Sequence, residues 1–386
     1  MAINKLMECV KLSRAGRQVC LITLNSDSNF GDLYSLSARH GVLAIVWDAV
    51  QQLANEGKLT AEQMPDRALK LRWILSSEQI EKRYRKQEVL ANELAKIYSE
   101  KGIATVVLKG LAISGYYPVP EHRECGDLDC FLIKEGDIRQ CNTQQDDTLA
   151  TNTNSLPISC YDEGNQLAKE AGAKVEIGFY KHSHINYKGL MVENHAFCTA
   201  VRGSRDGKAL ERHLQMLLVE KPLTRIGNTH LYRPCADFNA LFLTAHSFGH
   251  FLTEGIKLRH ILDWAYLLQA EQDKIDWESF YEWCDRMHYT KFADALTAIS
   301  VKHLGLIITN PAIHQQSDLA DKVLDDVING NRSIHNTNAS KFKKRLMIIR
   351  NHIFGGWKYR ELYEKSAFVE TMKMIFAFFT ERKPKI

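Results

Sequence analysis

Two short segments constrain this chain more than any others: Leu108-Lys109-Gly110 and, downstream, Gly126-Asp127-Leu128-Asp129-Cys130-Phe131. Residues 105–108 are β-branched or apolar and run into a glycine, which reads as a buried strand ending in a tight turn. The second segment reads as another strand, with two aspartates one residue apart. Side chains alternate across a strand, so Asp127 and Asp129 are expected on one face and Leu128 and Cys130 on the other. Carboxylates held side by side repel, and a cation commonly offsets that cost. A glycine beside them lets backbone approach a bulky anion. Strand, glycine and paired acids together predict a metal-dependent site for phosphate chemistry.

The flanking chain reads as helix on both sides. Residues 30–53 have helical apolar spacing around His40-Gly41-Val42. Residues 68–101 form a long charged amphipathic stretch with Leu71, Ile74, Ile80, Tyr84, Val89, Leu90, Leu94 and Ile97 on its apolar positions. Gly102 follows Lys101, a favoured helix end, and the next strand begins directly after it. Residues 139–155 are polar and read as a solvated surface loop, with a lid over the site as the alternative. A helix is expected over 161–171. Strands follow over 174–179 and 182–187, a hairpin turn at Lys188-Gly189, and a returning strand over 190–197. From Asp237 the chain reads as helix nearly to its end, and the apolar run 368–379 is expected to dock on the body. Three regions result: 1–100 helical, 101–235 carrying the strands, and 236–386 helical.

The Lys-Gly turn and the Gly-Asp-x-Asp strand resemble the nucleotidyltransferase superfamily typified by DNA polymerase beta. A closer resemblance is to a bacterial branch usually called uncharacterised nucleotidyltransferase. It rests on Val107-Leu108-Lys109-Gly110, Tyr117-Pro118, Arg123 and Gly126-Asp127-x-Asp129, and covers most of residues 30–300. The fold it implies is α+β: a small mixed sheet with helices, the polymerase-beta-like core, between N- and C-terminal helical regions. It also implies nucleotidyl transfer from a nucleoside triphosphate, with magnesium or manganese as cofactor. The chain departs from the superfamily in two places. Leu111 stands where a serine is usual, which removes a phosphate contact, and the gap from Gly110 to Asp127 is long. Lys109 is expected to supply a phosphate contact as a point charge.

A third acid completes the resembled site, and two residues compete for it. Glu193 precedes His195 by two on the returning strand, as in the resembled branch, and alternation puts both on one face. Glu176 lies on the strand before. With Asp127 and Asp129, the third acid would hold two divalent ions about 3.5–4 Å apart, which clamp attacking and leaving oxygens in line. Lys109, Gly110, Arg123, Gly126 and His195 are the nucleotide-binding candidates near the acids. Arg123 serves equally well as a salt-bridge brace. Downstream, the resemblance implies that His246, Arg259 and Asp263 line the cleft. His246 and His250 lie one helical turn apart, a spacing that also suits packed histidines or zinc.

Composition narrows partners more than chemistry. Fifty Lys and Arg against 46 Asp and Glu leave a net charge of +4, which permits an anionic substrate without pointing to long nucleic acid. No apolar run reaches membrane-span length. Nine cysteines without a Cys-x-x-Cys pair suit reduced thiols in a cytoplasm. The leading expectation is an enzyme acting on a nucleoside triphosphate and an undefined acceptor: a small molecule, a protein or an RNA end. The competing one is a non-catalytic nucleotide-binding or antitoxin-like module that keeps the fold. A phosphotransferase of unrelated fold ranks below both, because no Walker-type loop or His-Arg-Asp triplet occurs.

Overall fold

The computed structural model describes residues 6–7, 10, 30–138, 158–177, 180–199, 204–330, 356–370 and 372. Its strands are β1 (Ile103–Val107), β2 (Leu128–Lys134), β3 (Lys174–Ile177), β4 (His182–Tyr187), β5 (Leu190–His195), β6 (Thr224–Arg225) and β7 (Leu231–Arg233). They form one mixed sheet in the order β3-β4-β5-β2-β1-β7-β6. β2 is antiparallel to β1 and parallel to β5, and β1 is parallel to β7. Only Lys134 escapes burial in β1 and β2. Strands buried on both faces need a layer on each side, and helices supply both.

The long helix Arg67–Ser99 covers the back face. The Asp66 side chain caps it by accepting from the Leu69 N–H at 2.8 Å, and Gly102 at φ 67° turns the chain out of it. Its buried stripe runs Trp73, Ser77, Ile80, Tyr84, Gln87, Leu90, Leu94 and Tyr98. This differs from the stripe expected from apolar spacing: Leu71 and Val89 are each 56% exposed. The aromatics set the rotation instead. Trp73 is fully buried and donates its indole N–H to the Leu43 carbonyl at 3.0 Å.

The front face is covered by the helices Ala236–Thr253 and Leu258–Glu271, with Phe30–His40 and Leu43–Asn55 alongside. The stretch read as helical over 30–53 is thus two helices, broken at Gly41, whose φ of 69° suits glycine. One apolar cluster joins Leu33 and Trp47, Val106 and Phe131, and Phe242 and Trp264, so all three regions of the chain share a core. A second cluster behind the sheet holds Tyr84, Leu94, Cys130, Leu132, Ile185 and Val192.

The β4–β5 hairpin forms where expected. Lys188 and Gly189 both have positive φ, 52° and 87°, the two-residue turn whose twist matches the flanking strands. The helix Tyr161–Glu170 also lies where the pattern placed it. The helix Arg205–Glu220 and the β6–β7 hairpin were not read from the sequence. The polar stretch 139–155 and most of the run 368–379 lie outside the described residues. Among the described residues six cysteines are unpaired, and no helix is long and apolar enough to cross a membrane.

Candidate active site

The parallel pairing of β2 with β5 builds the site. Its register sets Asp129 opposite Glu193 and Phe131 opposite His195. Paired positions share a face, so Asp129, Glu193 and His195 all project to the front, while Leu128, Cys130, Val192 and Asn194 face the back. β4 extends this face, because His184 pairs with Glu193 and His182 with His195. Glu176 belongs to β3, three strands from β2, a separation of about 14 Å. It is exposed and salt-bridged to Lys174 at 2.9 Å. The geometry therefore brings Glu193, not Glu176, to Asp129.

Asp127 lies just before β2, which begins at Leu128. It is exposed, whereas Asp129 is 1% exposed. Partial burial, then the charges of Glu193 and Asp129, raise the Asp127 pKa above its ordinary value. Burial alone would do the same to Asp129. There the Lys109 ammonium and the His195 hydrogen bond win, and the carboxyl is held well below the usual range. Lys109 forms an ion pair with Asp129 Oδ2. The Leu108 N–H donates to the Asp129 carbonyl at 2.9 Å, so the β1–β2 pairing carries Lys109 to this place.

His195 is fully buried. Its Nδ1 lies 3.1 Å from the Phe197 carbonyl, which can only accept, so Nδ1 carries a proton. Nε2 then points at Asp129 Oδ1, 3.3 Å away, and Glu193 Oε2, 3.6 Å away. A carbonyl fixing one ring nitrogen and turning the other toward carboxylates is the arrangement found behind metal-bound histidines. One oxygen from each acid and Nε2 lie within 4.8 Å of one another, close enough to share a cation.

A lysine missed in the sequence completes the charge pattern. Burial lowers the Lys181 pKa, and Asp129, Glu193 and Glu211 oppose that shift. Glu211, on the helix Arg205–Glu220, is fully buried and accepts the N–H groups of Cys198 and Thr199, each at 2.7 Å. It thereby fixes the turn that follows β5. Nothing in Tyr180-Lys181-His182-Ser183-His184 marks the half-buried Lys181 as a neighbour of these acids, because they come from other strands and a later helix. His246 is another long-range arrival. Its pKa is driven well below the ordinary value by burial, then by His250, Lys109 and Lys181.

The remaining candidates form a separate brace. Arg123, 4% exposed, donates from Nε and Nη2 to the two oxygens of Asp263 at 3.1 and 2.6 Å. The Tyr117 hydroxyl donates to the same carboxylate at 2.7 Å. Arg123 and Asp263 are thus brought to each other. Arg259 donates from Nη1 to the Glu124 carbonyl at 2.6 Å, and Gln87 donates to the Gly126 carbonyl at 2.8 Å. Both hold the segment leading into Asp127. Gly110 sits at φ 67°, ψ −110°, a conformation essentially reserved for glycine. Leu111, where serine was expected, is 2% exposed in the back cluster.

A family profile described as an uncharacterised nucleotidyltransferase matches residues 26–305. No curated protein and no solved structure matches the chain.

Proposed function

Because the chain belongs to the uncharacterised nucleotidyltransferase family, we propose that it transfers a nucleoside monophosphate from a nucleoside triphosphate to an acceptor hydroxyl. The observation that carries this reading is the Asp129–Glu193 register, which sets two carboxylates on one face beside Asp127 and the Lys109-Gly110 turn. Asp127, Asp129 and Glu193 would hold magnesium or manganese: Asp129 and Glu193 offer oxygens within one close group, and Asp127 lies near enough for their charges to raise its pKa. When bound, such ions supply charge that holds the attacking and leaving oxygens in line.

The chain's own groups divide the remaining work. The acceptor oxygen attacks the α phosphorus, the α–β phosphoanhydride bond breaks, and pyrophosphate leaves. Glu193, with a side chain 21% exposed, accepts the acceptor's proton. Lys109, with a side chain 25% exposed, exchanges Asp129 for a phosphate oxygen. Gly110 lets the backbone approach the phosphates, and His195 presents Nε2 beside Asp129 and Glu193 as a further ligand atom. His246 and Arg259 line the cleft, while Arg123 and Asp263 hold its floor. The acceptor is a small molecule, a protein side chain or an RNA end.

Thermal unfolding with each ribonucleoside triphosphate, with and without magnesium or manganese, tests this. A ligand at a hundredfold its dissociation constant should add about 2.7 kcal/mol of stability, only with metal present, and the gain should vanish in Asp129→Asn. No shift with any nucleotide defeats the proposal. A second reading, nucleotide binding without transfer, draws on Leu111, whose burial leaves no hydroxyl at the turn. A metal-dependent shift without pyrophosphate release toward small-molecule, protein or RNA acceptors would favour it.

A further inference from the structure

The β4–β5 hairpin carries a second group of ligands that nucleotidyl transfer does not require. Its register puts His184 opposite Glu193 and His182 opposite His195, and alternation turns all four side chains to the front. His182 Nδ1 lies 3.7 Å from Glu193 Oε2, and His184 Nδ1 lies 3.9 Å from Glu193 Oε1. The His182 and His184 rings sit edge to face with centroids 4.9 Å apart. One donor atom from each of His182, His184 and Glu193 falls within a 4.8 Å group.

These His–Glu separations are too long for direct hydrogen bonds. They come close to another distance. Two ligands each about 2.05 Å from a tetrahedral ion stand about 3.4 Å apart. Each His–Glu separation therefore needs to close by only a few tenths of an ångström for that pair to share an ion, and all three donor atoms already lie within 4.8 Å of one another. Ligand type then sets its identity. Magnesium prefers oxygen and keeps its waters, whereas two imidazoles and a carboxylate suit zinc and its first-row neighbours. Three protein ligands leave a fourth position, and the 44% exposure of the His184 side chain opens it to solvent.

We infer that His182, His184 and Glu193 form a site for a divalent transition-metal ion of the zinc type, adjoining the carboxylate site and sharing Glu193 with it. The site depends on the hairpin and not on the transfer reaction.

The test is a zinc titration of the full-length, chelator-stripped protein against a chromophoric competitor in millimolar magnesium. Wild type, His184→Gln and His250→Gln are compared. His250 belongs to another close histidine pair, with His246 at 4.6 Å between ring centroids, and lies outside the hairpin. One zinc per chain should bind despite magnesium. His184→Gln should weaken binding by at least about tenfold, and His250→Gln should leave it unchanged. Circular dichroism checks that both variants fold, which their exposed positions favour. Failure to bind zinc, displacement by magnesium, or loss in His250→Gln but not in His184→Gln each overturns the assignment. Magnesium-dependent triphosphate stabilisation is measured on the same samples. Its absence while zinc still binds defeats the transfer reading alone, and its presence without zinc binding defeats the metal site alone.

Discussion

Two charge clusters adjoin the strand that carries Asp129, and they are built on opposite principles. In the brace, Arg123, Asp263 and Tyr117 meet at 2.6 to 3.1 Å, and each group satisfies another. In the site, Lys109 closes on one oxygen of Asp129, but His195, His182 and His184 stand 3.3 to 3.9 Å from the carboxylate oxygens of Asp129 and Glu193. Charges that complete one another hold a fold together. Charges gathered around a gap leave valence for something else, and here they share the front face of the sheet.

The largest expected effect breaks the brace. Asp263→Asn leaves the Arg123 guanidinium buried without a carboxylate, and losing one partner of such a pair costs about 3–5 kcal/mol. Glu193→Gln, which removes only contacts of 3.6 to 3.9 Å, should cost under about 1 kcal/mol. Urea unfolding of both variants without ligand decides the matter. Equal costs would erase the distinction between closed and open clusters.

Leu111→Ser comes next. If the position belongs to the back core, a buried serine there loses packing and buries a hydroxyl, costing about 3 kcal/mol, with no gain in triphosphate affinity. Tighter triphosphate binding in this variant would instead make the turn a phosphate loop that has lost its hydroxyl.

The difference between the clusters also explains what could be read in advance. The strand–glycine–strand unit was legible because its signals are local: a β-branched run, a glycine and alternating acids. The hairpin was legible because Lys188-Gly189 is a turn wherever it falls. Glu193 could be named beside Glu176, but choosing between them needed strand order, which places β5 against β2 and β3 at the edge. Lys181 escaped because the carboxylates whose charges it feels, Asp129, Glu193 and Glu211, are distant in sequence. In the helix Arg67–Ser99 the inward positions Ile80, Tyr84, Leu90 and Leu94 were legible, but Leu71 and Val89 stay exposed while Trp73 and Tyr98 turn inward, because packing and not apolar spacing decides the edges of the stripe.

A smaller effect is one of pH. His260 sits on the helix that carries Arg259 and Asp263, and its Nδ1 accepts the Lys257 N–H at 3.1 Å. Burial, then the charges of Arg259 and His250, hold its pKa well below the ordinary value of 6.5. The unfolded chain therefore takes up a proton that the folded one refuses. Stability is fully present above pH 6.5 and falls as the pH drops below it. In mildly acid solution this histidine alone should cost on the order of 1 kcal/mol. His260→Gln keeps a capping acceptor but does not titrate, so its melting temperature should fall less between neutral and mildly acid pH. Parallel curves for wild type and variant would remove His260 from the account.

The smallest effect on stability is also the most pointed. The Asp127 pKa is raised in the folded protein by partial burial, then by Glu193 and Asp129, so at neutral pH its charge works against folding. Asp127→Asn should therefore raise the melting temperature of the ligand-free protein slightly, by a few tenths of a kcal/mol at low salt, and salt should shrink the gain. The same substitution should weaken the metal-dependent stabilisation by triphosphate. Those two changes have opposite signs, and a carboxylate with a purely structural role would lower both quantities or neither. Asp263→Asn provides the contrast, because breaking a closed pair has no compensating gain in the ligand-free state. If Asp127→Asn destabilises the ligand-free protein, Asp127 belongs with the brace, and the open cluster reduces to Asp129 and Glu193.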